Sequence, residues 1–216
     1  IDYSKIAEQI LTKSGVRHGV CIDVDCETGR LALELAKQSD LQIIGLNADA
    51  DEIREARRFL HSEGMYGTRV TIQYADPSAR SYPTHVANLV LSSSDILRIH
   101  DETSRSQQTS ELDRRRLTRP YGGVICSGSV GDIICTRIGD LEGAGQWTHQ
   151  NADAANTLCS DDELLQGPLE AAWYRDGVFE MPDRHAQGPA PLFHDGYLVV
   201  EGVNGICALD AYNGQT

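Results

Sequence analysis

The sequence predicts an α/β fold, a mainly parallel sheet with helices on both faces, followed by a short β-rich segment. Three observations carry that expectation. Apolar runs of buried-strand type alternate with segments of helical spacing between residues 20 and 126. One of those strands runs through a tight acidic turn straight into a helix. Beyond residue 140 the chain changes to brief β-like runs parted by Asp-Gly and Asn-Gly pairs. Strands that alternate with helices need right-handed crossovers and a sheet covered on both sides.

Taken in order, residues 20–24 form a first strand and residues 31–36 continue with helical spacing of their apolar side chains. Residues 41–46 read as a second buried strand. Residues 49–64 follow as a helix, with Ile53, Ala56 and Leu60 on its apolar stripe. Asp49 or Asp51 caps its start and Gly64 fits its end. Residues 69–74 alternate as a third strand, residues 87–92 form a fourth, and residues 111–117 read as a helix. A turn at residues 120–123 leads into a fifth strand at residues 124–126. Ligands of such sheets bind beyond the carboxyl ends of the strands. The acidic turn, Asn47-Ala48 and Ala75-Asp76 would therefore share one rim.

The acidic turn carries the sharpest signal. The stretch Gly19-Val-Cys-Ile-Asp-Val-Asp-Cys-Glu-Thr-Gly-Arg30 aims backbone N–H groups and a helix start at whatever sits above the strand ends. Through Asp23, Cys26, Thr28 and Gly29 it resembles the cofactor loop of Rossmann-like S-adenosylmethionine (SAM) methyltransferases, Asp-x-Gly-x-Gly-x-Gly or Asp-x-Gly-Cys-Gly-Thr-Gly. It departs from that loop at Asp25 and Glu27, which stand where the first two glycines belong. The resemblance extends over residues 1–140 and implies a SAM-methyltransferase-like Rossmann domain. It implies that Asp23, Asp25, Cys26 and Gly29 line the cofactor, that Asn47 and Ala48 meet its ribose, and that Ala75 and Asp76 meet its adenine. It also places Ser92, Ser93 and Ser94 near the transferred methyl. Asn47 stands where the class usually has an acid, and lacks the charge-assisted strength of a carboxylate. A Cβ at positions 25 and 27 obstructs close backbone approach. Weak SAM binding by a degenerate loop is therefore expected, with a non-catalytic scaffold or binding module on a retained fold as the alternative. The methyl acceptor is not specified, and no catalytic residue is assigned, since the sequence identifies no orienting partner for His85 or His100.

Charge narrows the partners. The net charge is −13, and residues 141–216 hold 2 of the 19 basic and 12 of the 32 acidic side chains. Such asymmetry suggests a boundary near residues 139–145. It excludes a broad phosphate-binding surface, so no nucleic-acid partner is expected. The Arg114-Arg115-Arg116 run reads as a solvated helix face. Six cysteines show no zinc spacing, and no metal site is expected. Cys21 and Cys126 read as small apolar residues of buried strands, no disulfide framework is expected, and one isolated bridge stays open. No stretch approaches the ~20 apolar residues of a membrane span.

Residues 141–216 are of another kind. Residues 143–157 are small and polar. Residues 169–174, 190–193, 197–201 and 205–209 are β-like, with His194-Asp195-Gly196 and Val203-Asn204-Gly205 between the last three as hairpin turns. The closing Ala208-Leu-Asp-Ala-Tyr-Asn-Gly214 resembles the Ala-x-Asp-x-x-x-Gly repeat of pyrroloquinoline-quinone (PQQ)-like β-propellers, which a docking Trp usually follows. Trp147, His149, Asp153 and Asn156 are similar to the lead-in of bacterial propeller proteins that carry a methyltransferase-like domain in front. Trp147 reads as an anchor of that segment. His185 and His194 read as loop histidines. Residues 141–216 are thus expected to be a linker and the first part of a propeller, about one blade, in a fragment of a longer bacterial protein. One blade encloses no cofactor, so PQQ is not expected here. A protein partner is expected through the propeller, and so is an extracytoplasmic place, in periplasm or envelope. A cleavable signal peptide upstream and further repeats downstream belong to that expectation; a cytoplasmic place is the alternative.

Overall fold

A computed structural model of the chain describes residues 1–74, 82–97, 110–168, 171–175 and 189–216. The chain divides into two compact units, Ile1–Gly139 and Asp140–Thr216.

The first unit opens with α1 (Tyr3–Ser14). Asp2 caps it by accepting from the Lys5 amide, and Gly15 closes it in the left-handed conformation, φ 69°. Its buried Ile6, Ala7, Ile10 and Leu11 follow helical spacing, a pattern present in the sequence and absent from the elements expected above. Then come β1 (His18–Asp23), α2 (Arg30–Gln38), β2 (Asp40–Asn47), α3 (Ala50–Ser62), β3 (Val70–Tyr74), β4 (Leu89–Leu91), α4 (Ser93–Leu97), α5 (Glu111–Leu117), β5 (Val124–Ser129) and β6 (Asp132–Arg137). The sheet order is β3-β2-β1-β4-β5-β6, with β6 antiparallel to β5 and every other neighbour parallel.

Each central strand feeds two cores. Cys21, Leu41, Ile43 and Leu89 face one side, with α1, α2 and α3 residues such as Leu11, Leu35 and Leu60. Val20, Ile22, Leu46 and Val90 face the other, with Leu117 of α5. That two-sided burial is why the strands read as near-continuous apolar runs. The mainly parallel sheet with helices on both faces is Rossmann-like. Its order reverses between β1 and β4, the position where ligands bind in such sheets.

Two sequence expectations need correction. The hairpin β5–β6 continues past residue 126, because Gly131 (φ 91°) allows the turn that brings β6 back. Cys126 is not a free apolar filler: it lies directly opposite Cys135 in that hairpin, Cα atoms 4.2 Å apart, and the two form a disulfide.

In the second unit β7 (Leu192–His194), β8 (Tyr197–Glu201) and β9 (Ile206–Asp210) form a three-stranded antiparallel sheet in that order. Asp195 (φ 48°) and Gly196 (φ 79°) are both left-handed, the two-residue turn that matches strand twist. Trp147 adds a single antiparallel rung to β7 by exchanging both backbone hydrogen bonds with Phe193. Of the β-like run expected at residues 169–174, residues 169–170 lie outside the described residues and 171–174 form no strand. Among the described residues no helix is long and apolar enough to cross a membrane.

Candidate functional site

The carboxyl ends of β1, β2 and β4 gather most of the residues that the sequence singles out. Asp23 ends β1 and is fully buried. Its carboxylate accepts from the Ser93 amide (2.8 Å) and the Ser93 hydroxyl (2.5 Å). Burial pushes its carboxyl up to about 7, against the pull of the Ser93 hydrogen bonds, and the charge of Asp25 adds to the rise. Asp25 is half-buried and takes the Ser94 hydroxyl at 2.5 Å, while its carbonyl takes the Ser94 amide. The β1–α2 loop is thereby stitched to the serine run that follows β4. Ser92, Ser93 and Ser94 are themselves buried.

The middle of the loop turns inward. Cys26 is buried, and its amide donates to the Leu46 carbonyl of β2 (3.1 Å). Burial, first, and then the neighbouring carboxylates push its thiol far up, so it is an inert packing group rather than a nucleophile. Gly45 makes room for it, since a Cβ there would lie 2.7 Å from the Cys26 sulfur. Glu27 is left-handed (φ 49°), and only 6% of its surface is exposed. Gly29 is left-handed as well (φ 72°) and opens α2 without a side-chain cap.

At the end of β2, Asn47 is buried and Ala48 exposed. The Asn47 carbonyl oxygen accepts from the Asp49 amide (2.7 Å), and its Nδ2 donates to Glu52 Oε2 (2.8 Å). Asp49 caps α3 by accepting from the amides of Asp51 and Glu52. Glu52 is absent from the residues expected above. Its signal was its place in the first turn of a helix that rises from the end of β2. Ala75 and Asp76 lie outside the described residues, as do His100 and His185.

The other singled-out residues lie elsewhere. The Arg114–Arg116 run is not all solvated: Arg114 is buried and pairs with Asp95 of α4. His85 is left-handed (φ 62°), and its Nδ1 lies 3.3 Å from the Thr118 carbonyl. Trp147 pairs with Phe193, the His149 ring meets the Thr148 hydroxyl, and His194 faces Asp195. Among the described residues no cluster of three or more His, Cys, Asp or Glu could hold a metal. In the second unit the Trp173 indole N–H donates to the Ala211 carbonyl (2.8 Å), and its ring covers Gly214 so closely that a Cβ there would lie 2.6 Å from it.

No family profile and no curated protein matches this chain. Solved structures are similar to it in fold. One is a proposed S-adenosyl-L-methionine-dependent methyltransferase of Methanococcus maripaludis, with 24% identity and a TM-score of 0.49 over 59% of this chain and 55% of that one. Another is the [4+2]-cyclase SpnF, with 22% identity and a TM-score of 0.45 over 57% and 43%. A geranyl diphosphate C-methyltransferase of Streptomyces coelicolor has 14% identity and a TM-score of 0.45 over 58% and 46%. The chain spans about half the length of these proteins. Likeness at this level concerns the path of the chain alone.

Proposed function

We propose that the unit Ile1–Gly139 is a methyltransferase-like Rossmann module that holds SAM weakly in a degenerate loop. The carrying observation is the backbone of that loop. Glu27 and Gly29 are both left-handed, so the chain keeps the path of a glycine loop while a carboxylate fills one glycine position. The residues fit a nucleoside at two places, the carboxylate of Glu52 at the end of β2 and the uncapped start of α2. They crowd it at Asp25 and Glu27. When bound, SAM supplies an electrophilic methyl on a sulfonium, which nearby carboxylates do not repel. The protein contributes position and alignment of the acceptor.

Calorimetric titration with SAM tests this reading. The unmodified chain should bind weakly, and the double variant Asp25→Gly, Glu27→Gly more tightly. Low-micromolar binding by the unmodified chain would sink the degenerate-loop reading.

A second reading, a non-catalytic scaffold or binding module, is favoured by a specific observation. The carboxylates of Asp23 and Asp25 accept from the hydroxyls of Ser93 and Ser94, so both are engaged within the fold at the ends of β1 and β4. Failure of both the chain and the double variant to bind SAM would select it.

For residues 141–216 the reading is the first part of a PQQ-like propeller that serves a protein partner. Its support is the turn Ala208, Asp210, Gly214 with an indole docked on it, the role a docking Trp plays in the resembled repeat. The described sheet has three antiparallel strands, one fewer than a propeller blade, and a propeller needs about four to eight blades. A full-length gene without further Ala-x-Asp-x-x-x-Gly repeats would sink this part. An extracytoplasmic place is supported by the Cys126–Cys135 bridge, since such bonds persist in oxidising compartments. Differential alkylation of the protein from its native source should find this pair oxidised; a reduced pair would restore the cytoplasmic alternative.

A further inference from the structure

We propose that the Cys126–Cys135 bond is a redox device acting on the crevice between β1 and β4. Oxidised, it holds the β5–β6 hairpin against α4; reduced, it loosens the serine run that binds the β1–α2 loop. The device acts on the crevice whatever ligand the crevice takes, so it stands apart from the SAM reading.

The bond sits where the hairpin leaves the sheet. β4 pairs with β5 at Leu89 with Val124 and at Val90 with Ile125. Cys126 opposite Cys135 is the next rung out. Beyond it Ser127 with Ile134, Gly128 with Ile133 and Ser129 with Asp132 form a ribbon that β4 does not flank. A two-stranded ribbon is marginal by itself in water. Gly128 (φ 98°) weakens it further, since it offers no side chain to pack. A covalent link at the base removes open conformations that compete with the paired one.

The tip of the ribbon reaches the site. The Val130 amide donates to the Ile96 carbonyl of α4 (3.0 Å), and Ile96 is buried in one core with Cys126 and Ile133. Lys13 of α1 also holds the ribbon, by donating to the Ile133 carbonyl (2.7 Å). α4 has five residues, too few for a helix that stands alone. At its start the Ser93 and Ser94 hydroxyls donate to Asp23 and Asp25, each at 2.5 Å. Contacts therefore run without a gap from Cys126 to Asp25. Cys135 is half-buried and gives a thiol access, whereas Cys126 is buried. A dithiol attacks the Cys135 sulfur; the S–S bond breaks, and the Cys126 sulfur leaves as a thiolate and takes a proton. The second thiol of the reductant then displaces Cys135 as a thiol, and the reductant ends as a cyclic disulfide. Two electrons and two protons have passed to the pair.

Amide hydrogen exchange of the full chain, read by NMR with and without dithiothreitol, tests the device. The other four cysteines are free, so the dithiol acts on this pair alone. Losing the hold of one hydrogen bond on α4 corresponds to roughly tenfold. Reduction should speed exchange of the Ser93 and Ser94 amides by about that factor, while the amides of β2 and α3 keep their rates. Cys135→Ser should reproduce this without reductant. Val130→Pro tests the link with the bond intact. Val130 is not left-handed and precedes Gly131 at φ 91°, which suits proline at the first central position of a type II turn. The variant removes the donor to Ile96, so it should match the reduced chain, and reduction should then add little. Unchanged exchange at Ser93 and Ser94 on reduction would overturn the proposal. Equal acceleration throughout the sheet would overturn it too, since the bond would then serve global stability alone. So would a purified chain whose pair stays reduced in air.

Discussion

The sheet of the unit Ile1–Gly139 is apolar on both faces, whereas the sheet of Asp140–Thr216 is only half covered. In the first unit Leu89, Leu91, Leu41 and Ile22 are essentially inaccessible, and helices close both sides. In the second, Ala152 and Leu209 are the buried apolar residues among those described, while Tyr197, Val203 and Ile206 are more than half exposed. Apolar area removed from water stabilises by about 25 cal/mol per Å². The first unit therefore has the means to fold by itself, and the second depends on local devices: two hairpin turns, one docked indole, one backbone rung.

The largest expected effect of that difference is a split unfolding. All described helices lie in the first unit, and both tryptophans of the chain, Trp147 and Trp173, lie in the second. Helical circular dichroism and tryptophan fluorescence thus report different units. The fluorescence transition should come at lower urea than the dichroism transition. Coincident transitions would mean one cooperative structure and would break the comparison.

Next in size is a pH effect confined to the first unit. The Asp23 carboxyl titrates near 3.8 when unfolded and at about 7 in the fold, mainly because of burial. The folded chain then keeps a proton that the unfolded chain releases between those values, so stability falls as pH rises from about 4 to about 7. A shift of this size corresponds to roughly 4 kcal/mol. Asp49, lowered by the Glu52 and Asp51 amides, acts in the opposite sense and below that window. Urea titration by dichroism at pH 5 and 8 should show the loss, and Asp23→Asn should flatten it. Stability that rises over this range would show that Asp23 is ionised throughout.

Much of this contrast could be read from the residues, and some of it could not. The strand–helix alternation, the Asp195-Gly196 turn and the polarity of residues 143–157 are local patterns, visible in a few neighbouring letters. The spacing of Ile6, Ala7, Ile10 and Leu11 was equally local. Three features needed the fold. The Cys126–Cys135 bond depends on the register of a hairpin whose turn sits at Val130-Gly131. The bond from Asn47 to Glu52 joins the end of β2 to the first turn of α3, a matter of rotamer rather than of pattern. Trp173 docks on a turn 38 residues further along the chain, where a repeat pattern leads one to look after the turn rather than before it.

That docking gives the third prediction, confined to the second unit. Gly214 has φ 70°, and a Cβ on it would lie 2.6 Å from the Trp173 ring. Gly214→Ala meets both a left-handed backbone penalty and a steric clash, together about 2 kcal/mol. The fluorescence transition should move to lower urea and the dichroism transition should stay. Movement of both would show that the units are coupled through this turn.

The smallest expected effect tests the loop that gives the first unit its chemical interest. Glu27 is held left-handed, where a Cβ is disfavoured by roughly 1 kcal/mol. Glu27→Gly relieves that strain and removes a buried carboxylate, against the larger backbone entropy of glycine when unfolded. The net gain should be a fraction of a kcal/mol to about 1 kcal/mol, seen in dichroism and not in fluorescence. Glu27→Ala separates the causes, because it removes the carboxylate and keeps the Cβ. If the strain dominates, Ala gives no gain in stability; if the buried charge dominates, Ala gains as much as Gly. SAM affinity then sharpens the comparison. Only Gly restores close backbone approach, so Gly should tighten binding and Ala should not. Equal tightening by the two would place the obstruction in the carboxylate rather than in the path of the chain.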